Sequence, residues 1–344
     1  MKKYLIFTAL AAASILCSCK KDETAEAGNY LSGSLSFSLP EFVLNGETYT
    51  VQPKGVYNPS AFKSLSDWPD SLGYYVTNPL TNAKDTIKYF PTTSEMVKVI
   101  PTYNFKISKS ATQQKDTLGT FTISIHAYAP DYYSSTGSRD FTIINPGYGE
   151  GCTLRGFVKY AEDGIKPCFG RDFRTTDIDG TAWFRENLSS TSSGRPYKDC
   201  DAMDTIYGKY YTWEEARTAC PDDWTLPSSA DWDALAAKYP NVRSLMGDIG
   251  FNSDKKKMWT YWSNVGMPSD ESRLTILPTG YASISDGRYI FSKAGSAAYF
   301  WTSDGDAANA DNGIVRFIDE HENSILSVSM SKKYFAASVR CIKK

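Results

Sequence analysis

Two short helical patterns stand side by side at residues 212–239, in a chain whose other regular patterns are those of strands. Thr212 with Glu215 and Ser228 with Asp231 have the spacing of capping boxes, in which each side chain satisfies a backbone N–H of the other residue. Pro221 ends the first helix because proline lacks an N–H and clashes with the preceding turn. Helices this short must bury their aromatic rings against other elements. The predicted strands near 274–277, 299–303, 314–318, 325–328 and 337–342 are the available partners.

The first half of the chain shows clean strand alternation. Leu35, Phe37 and Leu39 alternate with serines, and apolar and polar residues also alternate at 97–107 and 121–125. About seven such strands, divided by turn residues and without a helical period, are typical of an antiparallel sandwich. The sequence therefore predicts an all-β N-terminal immunoglobulin-like sandwich at residues 30–146, followed by a glycine-rich hinge at 146–151.

The N-terminus has the layout of an export signal. Two lysines precede an apolar run at 4–16 that is too short to span a bilayer. The run ends in Leu-Cys-Ser-Cys, which resembles a bacterial lipobox, and the resemblance implies that Cys19 is acylated. Residues 1–18 are then a lipoprotein signal peptide and 19–29 a flexible tether, whose first charged residues resemble the tag that displays Bacteroidota lipoproteins on the outer cell surface. We expect an outer-membrane protein, lipid-anchored and surface-exposed, that meets the membrane only through its N-terminal lipid.

Charge and histidine content argue against several other functions. The net charge is −2 with no large basic cluster, so we expect no nucleic-acid partner. The two histidines, His126 and His321, lie in different predicted domains, and a histidine-based metal centre or a Ser-His-Asp triad is hard to build from them. We therefore predict no catalysis, no metal site and no cofactor.

The second half resembles a known family. Its match is carried, in order, by "TAWFRENL" (181–188), "YGKYYTWEEARTACPDDWTLPSSADWDAL" (207–235), "LPTGYAS" (277–283), "YFWTSD" (299–304) and "SVRCIKK" (338–344). These segments together resemble the Fibrobacter succinogenes major paralogous domain, which is common in Bacteroidota surface lipoproteins and related to the C-type lectin-like fold. The resemblance implies an α+β C-type lectin-like domain at residues 152–344.

The cysteines of the predicted lectin-like domain are odd in number. They are Cys152, Cys168, Cys200, Cys220 and Cys341. The resemblance implies a disulfide from Cys220, on a helix, to Cys341, in the last strand. Of the other three, Cys152 with Cys168 is the preferred second pair, which leaves Cys200 free, and Cys168 with Cys200 stays open as an alternative.

Ligand contacts are predicted on two loops. The segment 254–273 occupies the place of the variable lectin loop and carries Trp259, Tyr261 and Trp262, whose rings would stack on sugars or anchor a protein. The competing interpretation is that Trp259 and Trp262 pack into the domain itself. A second candidate loop is acidic and contains Asp304, Asp306, Asp311 and Asn312, with solvated turn carboxylates as the alternative. The calcium motifs of sugar-binding C-type lectins do not occur, and calcium binding stays open.

These patterns favour a non-catalytic binding protein or adhesin. The expected architecture is a lipid-anchored stalk that presents a lectin-like domain to an extracellular glycan or protein ligand. The alternative is a structural subunit of a fimbria-like surface assembly, since such fibres are also built from two-domain, β-rich lipoproteins. An enzyme that uses Cys200 is a third hypothesis.

Overall fold

The computed structural model describes residues 29–30, 35–51, 53, 71–77, 88–91, 103–106, 120–128, 132–144, 154–155, 158–251, 258–259, 265–319 and 322–344. The predicted signal peptide, Cys19 and nearly all of the tether lie outside these ranges, and so do Cys152, Tyr261 and Trp262. Within the described part of the chain the fold is mostly β, with several separate sheets. No helix there is both long enough and apolar enough to cross a membrane.

The first half forms strands around one core. They are β1 (Asn29–Tyr30), β2 (Phe42–Leu44), β3 (Thr48–Val51), β4 (Ser71–Thr77), β5 (Lys88–Pro91), β6 (Tyr103–Lys106), β7 (Thr120–Tyr128), β8 (Tyr132–Tyr133) and β9 (Ser135–Ile144). One sheet has the order β2-β9-β7-β4-β5, and β3 pairs with β6 in a second. β2 runs parallel to β9, whereas the other pairs of these two sheets are antiparallel. The core lies between them.

At residues 35–39 buried and exposed side chains alternate as predicted, but the segment does not form a regular strand. Leu35 and Phe37 are buried, and the serines between and after them are exposed. Only Ser36 makes a strand bridge, however. The backbone of Leu35 lies against Gly137 in β9, so close that a Cβ on Gly137 would stand 2.3 Å from the Leu35 carbonyl oxygen. The segment therefore packs on β9 through its side chains and this close approach, rather than through a ladder.

The second half mixes short sheets with helices. Its strands are β10 (Leu154–Arg155), β11 (Gly164–Cys168), β12 (Arg171–Ile178), β13 (Thr181–Phe184), β14 (Arg195–Pro196), β15 (Lys209–Tyr210), β16 (Gly250–Phe251), β17 (Tyr281–Ser285), β18 (Arg288–Ser292), β19 (Ala298–Gly305), β20 (Asn312–Ile318), β21 (Leu326–Ser331), β22 (Phe335–Ala336) and β23 (Ile342–Lys343). Three sheets have the orders β11-β12-β13-β23, β18-β17-β22 and β19-β20-β21, and β10 pairs with β16 and β14 with β15.

Among the described residues of this half, three α-helices and three 3-10 turns accompany these sheets. The helices are α1 (Asp204–Tyr207), α2 (Trp213–Ala219) and α3 (Ser229–Lys238), and the turns are Tyr197–Asp199, Asp201–Met203 and Val242–Ser244. Both predicted capping boxes are formed, at the starts of α2 and α3. α2 buries Trp213 and α3 buries Trp232, each against the sheet residues behind it. The helix patterns at 212–239 are therefore confirmed.

The bridge from α2 to the C-terminus is present. Cys220, at the C-terminal end of α2, is bonded to Cys341 with a Cα–Cα distance of 5.8 Å. Cys341 is fully buried next to β23, and its carbonyl accepts the N–H of Phe184. The cross-link therefore ties the first long helix to the sheet that contains the last strand.

Neither predicted second disulfide is present, because Cys168 and Cys200 are both free thiols. Cys168 ends β11 at a hairpin turn, where its strand partner is Arg171. Cys200 is buried, and its Sγ donates to the carbonyl of Phe42 in β2 at 2.6 Å. The predictions of a Cys152–Cys168 bridge and of its alternative, Cys168–Cys200, are therefore wrong.

The two halves touch along a mixed apolar and polar seam. Phe42, Leu44 and Ile144 from the first half belong to one hydrophobic cluster with residues of the 200–207 segment. Beside it, Lys198 and Glu41 form an ion pair at 2.6 Å. The seam therefore involves strands at one edge of the first sheet and the turns that precede α1.

Candidate functional site

Trp259, the first predicted ligand contact, is part of the core. Its side chain is only 2% exposed, and its indole Nε1 donates to the carbonyl of Ile276 at 2.7 Å. An aromatic ring needs an exposed face to stack on a ligand, so the prediction of Trp259 as a ligand contact is wrong, and the competing interpretation of internal packing holds for this residue. Tyr261 and Trp262 lie outside the described residues.

Asp304 and Asp306 order their own loop. One carboxylate oxygen of Asp304 accepts the backbone N–H of Ser229 at 2.6 Å, at the start of α3. Asp306 accepts from the Ser329 hydroxyl at 2.5 Å and from the N–H of Ala308 at 2.9 Å, and these hydrogen bonds lower the pKa of Asp306. Both carboxylates thus have structural partners, as the alternative of turn carboxylates expects, and their part in ligand binding stays a prediction. No three acidic, histidine or cysteine side chains of the described residues stand close enough to hold a metal ion.

A cleft of about 680 Å³ opens beside this loop. Three chain segments form it: the start of α2, the loop between β19 and β20, and the turn between β21 and β22. Its lining residues are Thr212, Glu214, Ala310, Asp311, Ser331, Lys332, Lys333 and Tyr334. Of these, the sequence patterns indicated only Asp311, as a member of the acidic loop, because Thr212 is explained as a helix cap and 331–334 carries no binding motif.

Lys332 joins the three segments. Its N–H donates to the carbonyl of Asp311 at 2.9 Å, and its own carbonyl accepts the N–H of Trp213 at 3.3 Å. Its ammonium Nζ donates to the carbonyl of Ala310 at 2.6 Å. Because these bonds cross between segments distant in sequence, the walls of the cleft are held at fixed separation.

Trp213 supports the cleft from within the protein. Its ring lies against Gly313, where a Cβ would stand 2.6 Å from ring atom Cδ1, so only glycine fits there without displacing the indole. The indole Nε1 donates to the carbonyl of Thr302 at 3.0 Å. Lys332 and Arg217 place their cationic groups 4.2 and 4.8 Å from the ring centroid. The ammonium of Lys332 therefore interacts with groups of the protein itself, namely the Trp213 ring and the Ala310 carbonyl.

Tyr334 is the exposed aromatic of the cleft. Its side chain is 58% exposed, although the next residue, Phe335, is buried. The Ser331 hydroxyl oxygen accepts the N–H groups of Lys333 and Tyr334 at 3.4 and 3.2 Å, and the Tyr334 carbonyl accepts the N–H of Ile284 at 2.9 Å. These bonds fix the backbone that carries the ring, so the ring is presented to solvent from an ordered turn.

A second polar cluster is buried under the end of the predicted ligand loop. Asp270, Arg273 and Thr275 all have positive φ, between 49 and 60°. The N–H and hydroxyl of Thr275 both donate to Asp270 at 2.7 Å, while Arg185 and Arg340 donate to the hydroxyl and carbonyl of Thr275. Desolvation raises the pKa of Asp270 to about 6. Because its polar atoms are engaged with one another, this cluster acts as a brace for a strained backbone.

Comparison with known proteins identifies the second half. Residues 176–343 match the model of the Fibrobacter succinogenes major domain, and the match begins inside β12 rather than at the predicted residue 152. A search of curated proteins found no match. Among solved structures, a superoxide reductase (neelaredoxin) from Ignicoccus hospitalis is 9% identical, with 36% of this chain and 88% of that chain covered and a TM-score of 0.23. A candidate superoxide reductase from Thermotoga maritima is 10% identical, with 32% and 86% covered and a TM-score of 0.21. Such low scores carry no argument about fold or chemistry. The family match is independent of these scores, and it shows that the chain contains a Fibrobacter succinogenes major domain at residues 176–343.

Proposed function

We propose that this protein is a non-catalytic, lipid-anchored binding protein or adhesin on the outer surface of the outer membrane. In this proposal an N-terminal immunoglobulin-like sandwich presents a C-type lectin-like domain to an extracellular glycan or protein. The anchor is the lipid on Cys19, as the lipobox resemblance implies. The ligand contacts lie in the cleft at the start of α2.

The topology supports the finer fold assignments. In the first half, an edge strand pairs in parallel with the last strand of an otherwise antiparallel sheet, and a second small sheet covers the same core. This arrangement fits an immunoglobulin-like sandwich. In the second half, two short helices precede the main strands, and a disulfide joins the first of them to the C-terminus. This arrangement fits a C-type lectin-like domain.

The observation that carries the binding function is the cleft itself. Its volume of about 680 Å³ falls within the roughly 300–1,000 Å³ of small-ligand sites. It also combines one exposed aromatic ring with polar groups on loops that are held together by hydrogen bonds. Such a preformed site binds with a reduced ordering cost.

The thiols favour binding over catalysis. Burial raises the pKa of both Cys168 and Cys200, so both thiols are protonated at neutral pH. A thiolate, not a thiol, is the nucleophile in cysteine catalysis. Cys200 moreover donates its S–H to the Phe42 carbonyl inside the seam between the halves.

The proposal is tested in two steps. Cells that express the full chain should attach a radiolabelled fatty acid to the protein, and Cys19→Ala should abolish this labelling. Protease added outside intact cells should digest the protein. Lipid-free protein covering residues 20–344 is then applied to glycan arrays and to intact host cells. The binding function would be refuted if protein that melts cooperatively, and is therefore folded, binds neither the arrays nor the cells.

The same preparation separates the fimbria-like alternative. A fibre subunit needs a terminal strand that can be exchanged between copies, and the Cys220–Cys341 bridge ties the C-terminal strand region to α2. We therefore expect monomers in size-exclusion chromatography. Concentration-dependent filaments in electron micrographs would favour the structural subunit instead.

A further inference from the structure

We propose that the cleft at the start of α2 binds a neutral saccharide, with the ring of Tyr334 as the stacking surface and with Asp311 and Lys333 as hydrogen-bonding partners. The inference rests on the proposed function, and it names the ligand class of that same site.

Tyr334 has the properties of a stacking residue. Its ring is 58% exposed at the edge of a cleft, on a backbone fixed by bonds to Ser331 and Ile284. A tyrosine in this position is amphipathic and has few rotatable bonds, so it binds an apolar face with little loss of conformational entropy. The C–H face of a pyranose ring is such a surface.

Lys333 covers one face of this ring, and its ammonium can be displaced. Its ammonium lies 5.2 Å from the Tyr334 ring centroid, and the lysine is exposed. A cation–π contact at an exposed site is weak because water competes for the ammonium. A sugar ring that takes this place loses little by displacing the ammonium. The released ammonium then donates hydrogen bonds to hydroxyl groups of the same sugar.

The charge of the cleft favours a neutral ligand. Lys332 is already bound to the Ala310 carbonyl and the Trp213 ring, and Glu214 lies 3.8 Å from Arg217. Lys333 and the exposed Asp311 remain, with opposite charges. An anionic ligand would meet the carboxylate and a cationic ligand the ammonium. A hydroxyl both donates and accepts, so it satisfies both groups.

The size of the cleft favours a saccharide over a protein. Stable protein–protein contacts bury roughly 1,200–2,000 Å² over broad surfaces, whereas a cleft of about 680 Å³ accommodates a ligand of a few sugar rings. Neither the start of α2 nor the β21–β22 turn presents a continuous apolar surface around it, because lysine, serine, threonine and acidic side chains line most of the cleft.

The test applies lipid-free protein of residues 20–344 to an array of neutral and charged oligosaccharides, and then titrates the neutral oligosaccharide with the strongest array signal by calorimetry. Tyr334→Ala should weaken binding at least tenfold, while Tyr334→Phe should stay within about threefold of the parent, because stacking needs the ring and not the hydroxyl. Asp311→Asn and Lys333→Ala should each weaken it severalfold. Ile290→Ala removes another exposed apolar side chain, 54% exposed on β18, and should leave the affinity unchanged.

The outcomes separate the two proposals. Unchanged affinity for Tyr334→Ala, with Asp311→Asn also unchanged, overturns the saccharide site in this cleft while the binding function stands. Binding only to charged glycans, or only to a host-cell protein, overturns the ligand class. Folded protein that binds no glycan and no cell overturns both. Melting curves of each variant show that the fold is retained, which we expect because the exchanged side chains face solvent.

Discussion

Removing the cross-link between Cys220 and Cys341 should lower the free energy of unfolding by about 5 kcal/mol. The bridge joins residues 121 positions apart, and it therefore closes a long loop in the unfolded chain. The chain-entropy relation gives about 5 kcal/mol at 25 °C for a loop of this length. A change of 1 kcal/mol shifts the melting temperature of a domain of 150–250 residues by roughly 2–4 °C, so the expected decrease is about 10–20 °C.

The assay compares oxidised and reduced wild-type protein in urea, together with the double variant Cys220→Ala/Cys341→Ala. Cys341 is fully buried, so we expect a reductant to act only after the protein is unfolded. The matched control is Cys168→Ala, which removes a thiol that forms no disulfide. The oxidised protein should also show a smaller dependence of unfolding free energy on urea, because its unfolded state is held more compact.

The result that would refute this reasoning is a reduced protein within about 1 kcal/mol of the oxidised one. Loss of stability in the double variant without a matching loss on reduction would assign the effect to packing around the buried sulfur atoms. In that case restriction of the unfolded chain would not be the source of stability.

Three further predictions concern the core and the seam. Asp270 has a folded pKa of about 6 against about 3.9 unfolded, so the stability it contributes is present below pH 4 and is lost as pH rises through 6. A shift of two pKa units sets an upper bound of about 3 kcal/mol on this contribution, because the group is partly exposed. Urea titrations at pH 4 and pH 7.5 should show that Asp270→Asn removes this part of the pH dependence of the unfolding free energy. The same difference between the two pH values in the variant and the wild type would contradict it. Trp259→Phe should cost about 1–3 kcal/mol, because the indole hydrogen bond to the Ile276 carbonyl at 2.7 Å is lost and the smaller ring leaves a cavity, while Gly247 still donates its N–H to that carbonyl; equal thermal stability would be the contrary result. The pair Lys198–Glu41 has side chains 41% and 52% exposed, so a double-mutant cycle should give a coupling energy below about 1 kcal/mol, and a larger value would show that the seam shields the pair from solvent.

Local patterns predicted the local structure well. The two capping boxes are formed at Thr212 and Ser228, because a cap depends on residues only three positions apart. Strand alternation likewise placed most of the strands of the first half, such as β7 (Thr120–Tyr128). The segment at 35–39 shows the limit of this reasoning. Its apolar residues point inward as predicted, yet strand pairing depends on what the backbone meets, and Leu35 meets Gly137.

The prediction of Trp259 as a ligand contact failed for a related reason. Trp259, Asp304 and Asp306 have residue types that suit a binding site, but composition does not say whether a side chain faces solvent or a partner in the fold. Trp259 finds the Ile276 carbonyl, and Asp304 finds the N–H of Ser229, 75 positions earlier. Tyr334, in contrast, follows a lysine pair with no pattern of its own, and its exposure depends on the turn that Ser331 forms.

By itself, the sequence determined the strands and helices, the capping boxes and the family resemblance over the second half, because each depends on neighbours along the chain or on motifs read in order. Only the tertiary structure decided which cysteines remain thiols and which aromatic ring is exposed. It also decided that the start of α2, the β19–β20 loop and the β21–β22 turn enclose one cleft. The cleft in particular depends on contacts between residues far apart in the chain, such as Trp213 and Lys332, and no short stretch of sequence contains both partners.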